Sequence, residues 1–154
     1  MAALHESGSV VVARTADELY DMVADVTRMG EWSPVCTACW WDSGATPVVG
    51  ARFTGRNQQA DRTWETRSAV VVAKRGHEFA FIVSETGTRW GYQFRPVEGG
   101  TQITESWNLT PEVVAVWKQR AGPDAEAQIL DRVERTRAEI AATLAAIKKA
   151  AEST

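Results

Sequence analysis

Apolar and polar positions alternate through the middle of the chain, and a helical period takes over at its end. Residues 8–14 (GSVVVAR) predict a first strand. Thr15 suits an N-cap, and Glu18 three residues on completes a capping box, in which two free backbone N–H groups are satisfied reciprocally. A helix is predicted over 16–25, with Leu19, Met22 and Val23 on one face, then a second helical turn over 26–31. Ser33-Pro34 ends it, because the residue before proline avoids the α region. Six strands follow, over 35–42, 51–57, 63–74, 77–84, 89–97 and 101–109. Glycine-bearing turns separate most of them, at Gly44/Pro47/Gly50, Gly76, Gly87 and Gly99-Gly100. Together they read as an antiparallel meander.

Parity assigns each strand a dry and a wet face. Trp64, Thr66, Ser68, Val70 and Val72 share one parity. Phe79, Phe81 and Val83 share another, as do Trp90, Tyr92 and Phe94, and then Ile103, Glu105, Trp107 and Leu109. One side of the sheet is dense in aromatics and the other is polar, as in an antiparallel sheet covered on one side. Pro111 opens a helical stretch with Val113, Val114, Val116 and Trp117, interrupted at Gly122-Pro123. A terminal helix over 124–150 would be roughly 40 Å long. Ile129, Val133, Ile140, Leu144 and Ile147 mark its buried stripe, with Ala127, Ala138, Ala141 and Ala145 read as filling the rest.

Composition changes this picture in one respect. Seven tryptophans outnumber the six Phe and Tyr combined. Large rings facing a helix with small inner residues leave space, which predicts a lined cavity rather than a solid core. The other bulk properties exclude classes. The length fits one domain over 1–154, with residues 1–7 expected to be flexible. Net charge is −3 with no dense basic cluster, against nucleic acid as a partner. No apolar run is long enough to span a bilayer, and the polar start of the chain lacks a signal-peptide pattern. No stable membrane insertion and a cytoplasmic location are expected, as monomer or dimer.

Cys36 and Cys39 form a C-x-x-C. Residues three apart on a strand face opposite ways, and the only histidines, His5 and His77, lie in a terminal segment and a turn. Two free thiols are therefore expected, and no metal. G-x-S-x-G, G-x-G-x-x-G, a P-loop and H-E-x-x-H are absent, so no cofactor is expected either.

Strand, helix pair, meander and long terminal helix come in the order of the START-like helix-grip fold, an α+β fold. The segments GEWSP (30–34), GARFTGRN (50–57), Trp64 with its strand and TESW (104–107) resemble the actinobacterial polyketide cyclase/dehydrase-like branch of the SRPBCC superfamily. The resemblance spans nearly the whole chain. It implies a curved sheet gripping the last helix around an apolar tunnel, in a superfamily of lipid carriers, hormone and alkaloid binders, aromatase/cyclases and chaperone activators. It supplies no catalytic motif to place residue by residue.

Glu105 is the sharpest chemical candidate. Its parity puts it between Ile103 and Trp107, where desolvation would raise its pKa towards neutrality; a bulge that flips the register, or a structural bridge to an arginine, is the alternative. Tyr92 is the second candidate, as proton donor or as a phenol orienting a ligand. Asn57 ends its predicted strand, either turning the chain or offering its amide at the mouth. Trp32 lies where the short helices meet the sheet, gating the cavity or plugging the core. The candidate ligand wall is Trp32, Phe53, Asn57, Trp64, Thr66, Ser68, Phe79, Phe81, Trp90, Tyr92, Glu105 and Trp107. Three functions compete: a carrier of a hydrophobic small molecule (lipid, polyketide or aromatic), an aromatase/cyclase or dehydratase in which Glu105 and Tyr92 move protons, and a protein-interaction module.

Overall fold

A computed structural model describes residues 3–44 and 47–153. Met1, Ala2 and Thr154 lie outside these, as do Ala45 and Thr46 in the predicted 44–50 turn. Strand β1 (Leu4–Val12) leads into helix α1 (Ala16–Ala24) and a 3-10 turn (Val26–Glu31). The meander is β2 (Cys36–Trp41), β3 (Arg52–Gln59), β4 (Arg62–Lys74), β5 (Glu78–Val83), β6 (Arg89–Val97) and β7 (Gly100–Leu109). Helix α2 (Pro111–Ala121), a 3-10 turn (Gly122–Asp124) and helix α3 (Ala125–Glu152) complete the chain. All seven strands join one curved antiparallel sheet in the order β1-β7-β6-β5-β4-β3-β2.

The first strand starts earlier than periodicity predicts. Every residue from Leu4 to Val12 pairs with β7, from Leu109 back to Thr101. Within the segment expected to be flexible, Leu4 to Ser7 is thus strand, and Arg137 of α3 holds Glu6 at 2.9 Å. The capping box forms as expected: the Glu18 N–H donates to Thr15 Oγ1 at 3.1 Å, and the Thr15 N–H to Glu18 Oε1 at 3.3 Å. Helix α1 buries Leu19, Tyr20, Val23 and Ala24 over the inner strands β5–β7.

Helix α3 lies along β1. Gly8 permits the approach, since a Cβ there would stand 2.9 Å from Ile140 Cγ2. Lys148 Nζ donates to the Val11 carbonyl at 2.7 Å, Arg14 Nε to the Ala151 carbonyl at 2.7 Å, and the Ala13 N–H to Glu152 Oε2 at 2.9 Å. Helix α3 buries Ala125, Thr136, Ile140, Thr143, Leu144, Ile147 and Ala151. Ala127, Ala138, Ala141 and Ala145 are exposed instead. The alanine-filled inner face is corrected: threonines share the inner stripe with the large aliphatics.

Two bulges overturn parity assignments. In β4 the register shifts between Val70 and Val72, so Val70 faces Phe81, Val72 faces Ala80 and Ala73 faces Phe79. Beyond that point Ala73, not Val72, packs against the core. In β2 the register shifts between Cys36 and Ala38, leaving Thr37 as the extra residue. The 3-10 turn presses on this bulge through Gly30, where a Cβ would lie 2.6 Å from the Thr37 carbonyl oxygen.

Candidate functional site

Beyond α1, and away from β1, the inner face of the sheet and the inner face of α3 part. They enclose a cavity of about 700 Å³, within the roughly 300–1,000 Å³ of small-molecule sites. Of the expected wall residues, Phe53, Asn57, Trp64, Thr66, Ser68, Phe81, Trp90, Tyr92, Glu105 and Trp107 line it. Trp32 and Phe79 do not. Phe79 is fully buried against Tyr20 of α1, ring centroids 6.3 Å apart. Trp32 is buried at the 3-10 turn with the Arg28 guanidinium 5.3 Å from its ring. Phe79 sits where α1 covers the sheet, so its inward parity leads into packed core, whereas Trp32 caps the 3-10 turn and packs into the core, the alternative to gating.

Strand pairing sets the order of the wall. Trp90 lies opposite Trp107, and Tyr92 opposite Glu105. Phe81 lies opposite Trp90 and packs edge-on against Phe53 at 4.9 Å. Asn57 is a buried strand residue, two positions before the strand ends, rather than a turn former. Its amide donates to Thr66 Oγ1 at 3.1 Å. Gly55 adds space between them, as an inward position with no side chain.

Glu105 is 3% exposed. The Tyr92 hydroxyl donates to its Oε2 at 3.0 Å, while Oε1 has no hydrogen-bond partner. Burial pushes the carboxyl pKa up to about 8, the Tyr92 bond pulls it partly back, and the Glu139 charge adds to the rise. No arginine bridges it among the described residues. The Tyr92 phenol is pushed well above its ordinary value, first by burial and then by the Glu105 charge. The pair is therefore a proton-holding unit in an apolar setting. At neutral pH its neutral carboxyl can donate a hydrogen bond, which an ionised one cannot.

Sequence reasoning missed the helical side of the site. Arg132, Glu139 and Thr143 of α3 line the cavity. The Arg132 guanidinium lies 5.7 Å from the Trp107 ring centroid, and burial lowers its pKa. The signal was present: positions 132, 136, 139 and 143 recur at helical spacing within the buried stripe. Also missed were the thiols of Cys36 and Cys39, which both line the wall. Val113, Val116 and Trp117 of α2 also line the cavity, and Val113 packs on Gly87 of the β5–β6 turn, where a Cβ would stand 2.8 Å from its Cγ2. Trp117 donates from its indole to Gln128 Oε1 at 3.1 Å.

A sheet wrapped round a terminal helix, with an apolar cavity and a few convergent polar groups, defines a helix-grip fold of the ligand-binding kind. The chain belongs to the family described as polyketide cyclase / dehydrase and lipid transport, whose model matches residues 4–152. It is similar to a Polyketide_cyc-like protein from Corynebacterium glutamicum, at 41% identity and a TM-score of 0.72 over 97% of this chain and 91% of that one. It also matches half of the di-domain ARO/CYC StfQ of the steffimycin biosynthetic pathway, at 16% identity and a TM-score of 0.71 over 97% of this chain and 51% of that one. The Aha1 dimer from Colwellia psychrerythraea matches at 16% identity and a TM-score of 0.61, over 97% of each chain. The last two likenesses are of fold alone. No protein of curated function matches the sequence. Among the described residues, no helix is long and apolar enough to cross a membrane.

Proposed function

We propose that the protein binds and carries a hydrophobic small molecule, a lipid or an aromatic, polyketide-like compound, inside this cavity. The observation that carries the proposal is the gap itself. Rings from five of the meander's strands line the space under α3 and leave about 700 Å³ unfilled. Burying apolar ligand surface there is worth roughly 25 cal/mol per Å². The neutral Glu105 carboxyl, held by Tyr92, supplies one directional contact suited to a carbonyl or hydroxyl oxygen.

Native mass spectrometry of the purified protein tests this through any co-purified small molecule. Titration with fatty acids and with planar polycyclic ketones is the second arm, because Trp64, Trp90, Trp107 and Trp117 line the cavity and their emission should change on filling. A protein that arrives empty and leaves all four signals unmoved across both ligand classes would not be a carrier.

A second reading is favoured by one observation, the acid with a pKa of about 8 and an unpartnered Oε1. Such a group can shuttle a proton in a cyclisation or dehydration. Glu105→Gln separates the two. A carrier keeps its ligand with a change of a few-fold. An enzyme still binds but loses turnover by about 10²–10⁴-fold, the usual worth of a general acid or base.

A further inference from the structure

The cavity wall away from Glu105 holds a second pair of reactive groups. Cys36 and Cys39 lie three residues apart, which in a regular strand turns side chains to opposite faces. The β2 bulge cancels that. Cys36 pairs with Asn57 and Cys39 with Gly55, and those two β3 residues both face inward. Both thiols therefore line the cavity as neighbours on one face, with Cys36 Sγ donating to the Ala38 carbonyl at 3.3 Å. Gly55 leaves them room: a Cβ there would stand 3.6 Å from Cys36 Sγ. Only 6% and 7% of these residues is exposed, so a reagent reaches them through the cavity.

The two sulfurs are unequal. The Cys39 thiol holds Cys36 below the usual thiol range, and the same contact, with burial, pushes Cys39 up. One is suited to attack and the other to wait as a thiol.

We propose that Cys36 and Cys39 form an oxidisable dithiol in the cavity wall, closing to an intramolecular disulfide when a hydroperoxide enters the cavity. The Cys36 thiolate attacks the terminal peroxide oxygen. An S–O bond forms as the O–O bond breaks, and the departing alkoxide takes up the proton that Cys36 released, leaving as an alcohol. Cys39 sulfur then attacks the sulfenic sulfur. An S–S bond forms as S–O breaks, and hydroxide leaves with the Cys39 proton as water. Two thiols are oxidised and one peroxide is reduced. An external dithiol reverses the closure by exchange.

The test uses the unmodified protein and hydrogen peroxide, with no ligand, so its outcome is independent of the carrier proposal. After native exposure, the chain is denatured, alkylated and weighed. The expected product is a monomer lighter by two hydrogens that takes no alkylating agent and regains both thiols with dithiothreitol. Its rate should rise with pH as Cys36 ionises. In Cys39→Ser, a dimedone adduct should appear on Cys36 in place of the disulfide. Two alkylatable thiols, cross-linked dimers alone, or sulfinic acid without a disulfide would overturn the proposal.

Discussion

Phe79 and Phe81 stand two residues apart on β5, share a face, and end in different surroundings. Phe79 is fully buried against Tyr20 of α1, whereas Phe81 helps enclose the cavity. The same division crosses the neighbouring strands. On β6, Phe94 packs on Tyr20 at 5.6 Å, while Tyr92 and Trp90 line the cavity. On β7, Ile103 is core, while Glu105 and Trp107 line the cavity. On α3, Ile147 is core, while Thr143, Glu139 and Arg132 border the hollow part. Alternation chooses the face of a sheet. What fills the space in front of that face depends on which helix covers it, and α1 covers only one end.

The largest expected effect lies in the filled end. Phe79→Ala should cost about 3–5 kcal/mol, the usual loss for a large buried ring, seen as a lower urea midpoint with ligand affinity little changed. Trp90→Leu, at the hollow end, should cost only about 1 kcal/mol and should weaken ligand binding. Equal losses of stability would erase the contrast between the two ends.

Glu105→Gln comes next, and its effect depends on pH. Below about pH 4.5, the ordinary value of the group, the carboxyl is protonated in both folded and unfolded chains. From there to about 8 the unfolded chain ionises while the folded chain keeps its proton. The unfolded state then binds fewer protons, so wild-type stability falls with rising pH, by up to about 1.4 kcal/mol per unit. Above about 8 the loss levels off. The Gln variant lacks this slope, so it should gain on wild type across the window, by on the order of a few kcal/mol at the top. Denaturant midpoints at pH 5 and pH 8 check it, and a difference independent of pH would place Glu105 in water.

Tyr92→Phe should be the mildest, about 1 kcal/mol for a lost hydrogen bond. It also removes the contact that restrains the Glu105 pKa, so the slope should extend to higher pH. An unmoved slope would mean that the 3.0 Å contact does not couple the two groups.

Much of this was legible beforehand. Strand spacing and the Thr15–Glu18 box placed every element to within a few residues, and the β7 parity put Glu105 inside. The misses have local physical causes. A single extra residue resets parity, so the β2 bulge brought both thiols to one face and the β4 bulge exchanged Val72 for Ala73. Phe79 failed because face says nothing about cover, and Trp32 took the plugging role that had been set beside gating. The helix failed because alanine was taken as the inner residue, while Arg132, Thr136, Glu139 and Thr143 at the same spacing went unread. The cavity was expected for a reason that did not hold: it is left where α3, seated on β1, parts from the other strands, with polar side chains at its border, and not by small side chains facing inward.

The pairing of β1 with β7, and the ties from α3 back to Val11 and Ala13, join the two ends of the sequence. Contacts of such span are slow to form, because the intervening chain must be brought round first. During synthesis β1 waits unpaired until β7 has been made, and the aromatic face of the meander stays open to water until α3 follows. A nascent chain is therefore most exposed to aggregation after β7 has emerged and before α3 has docked.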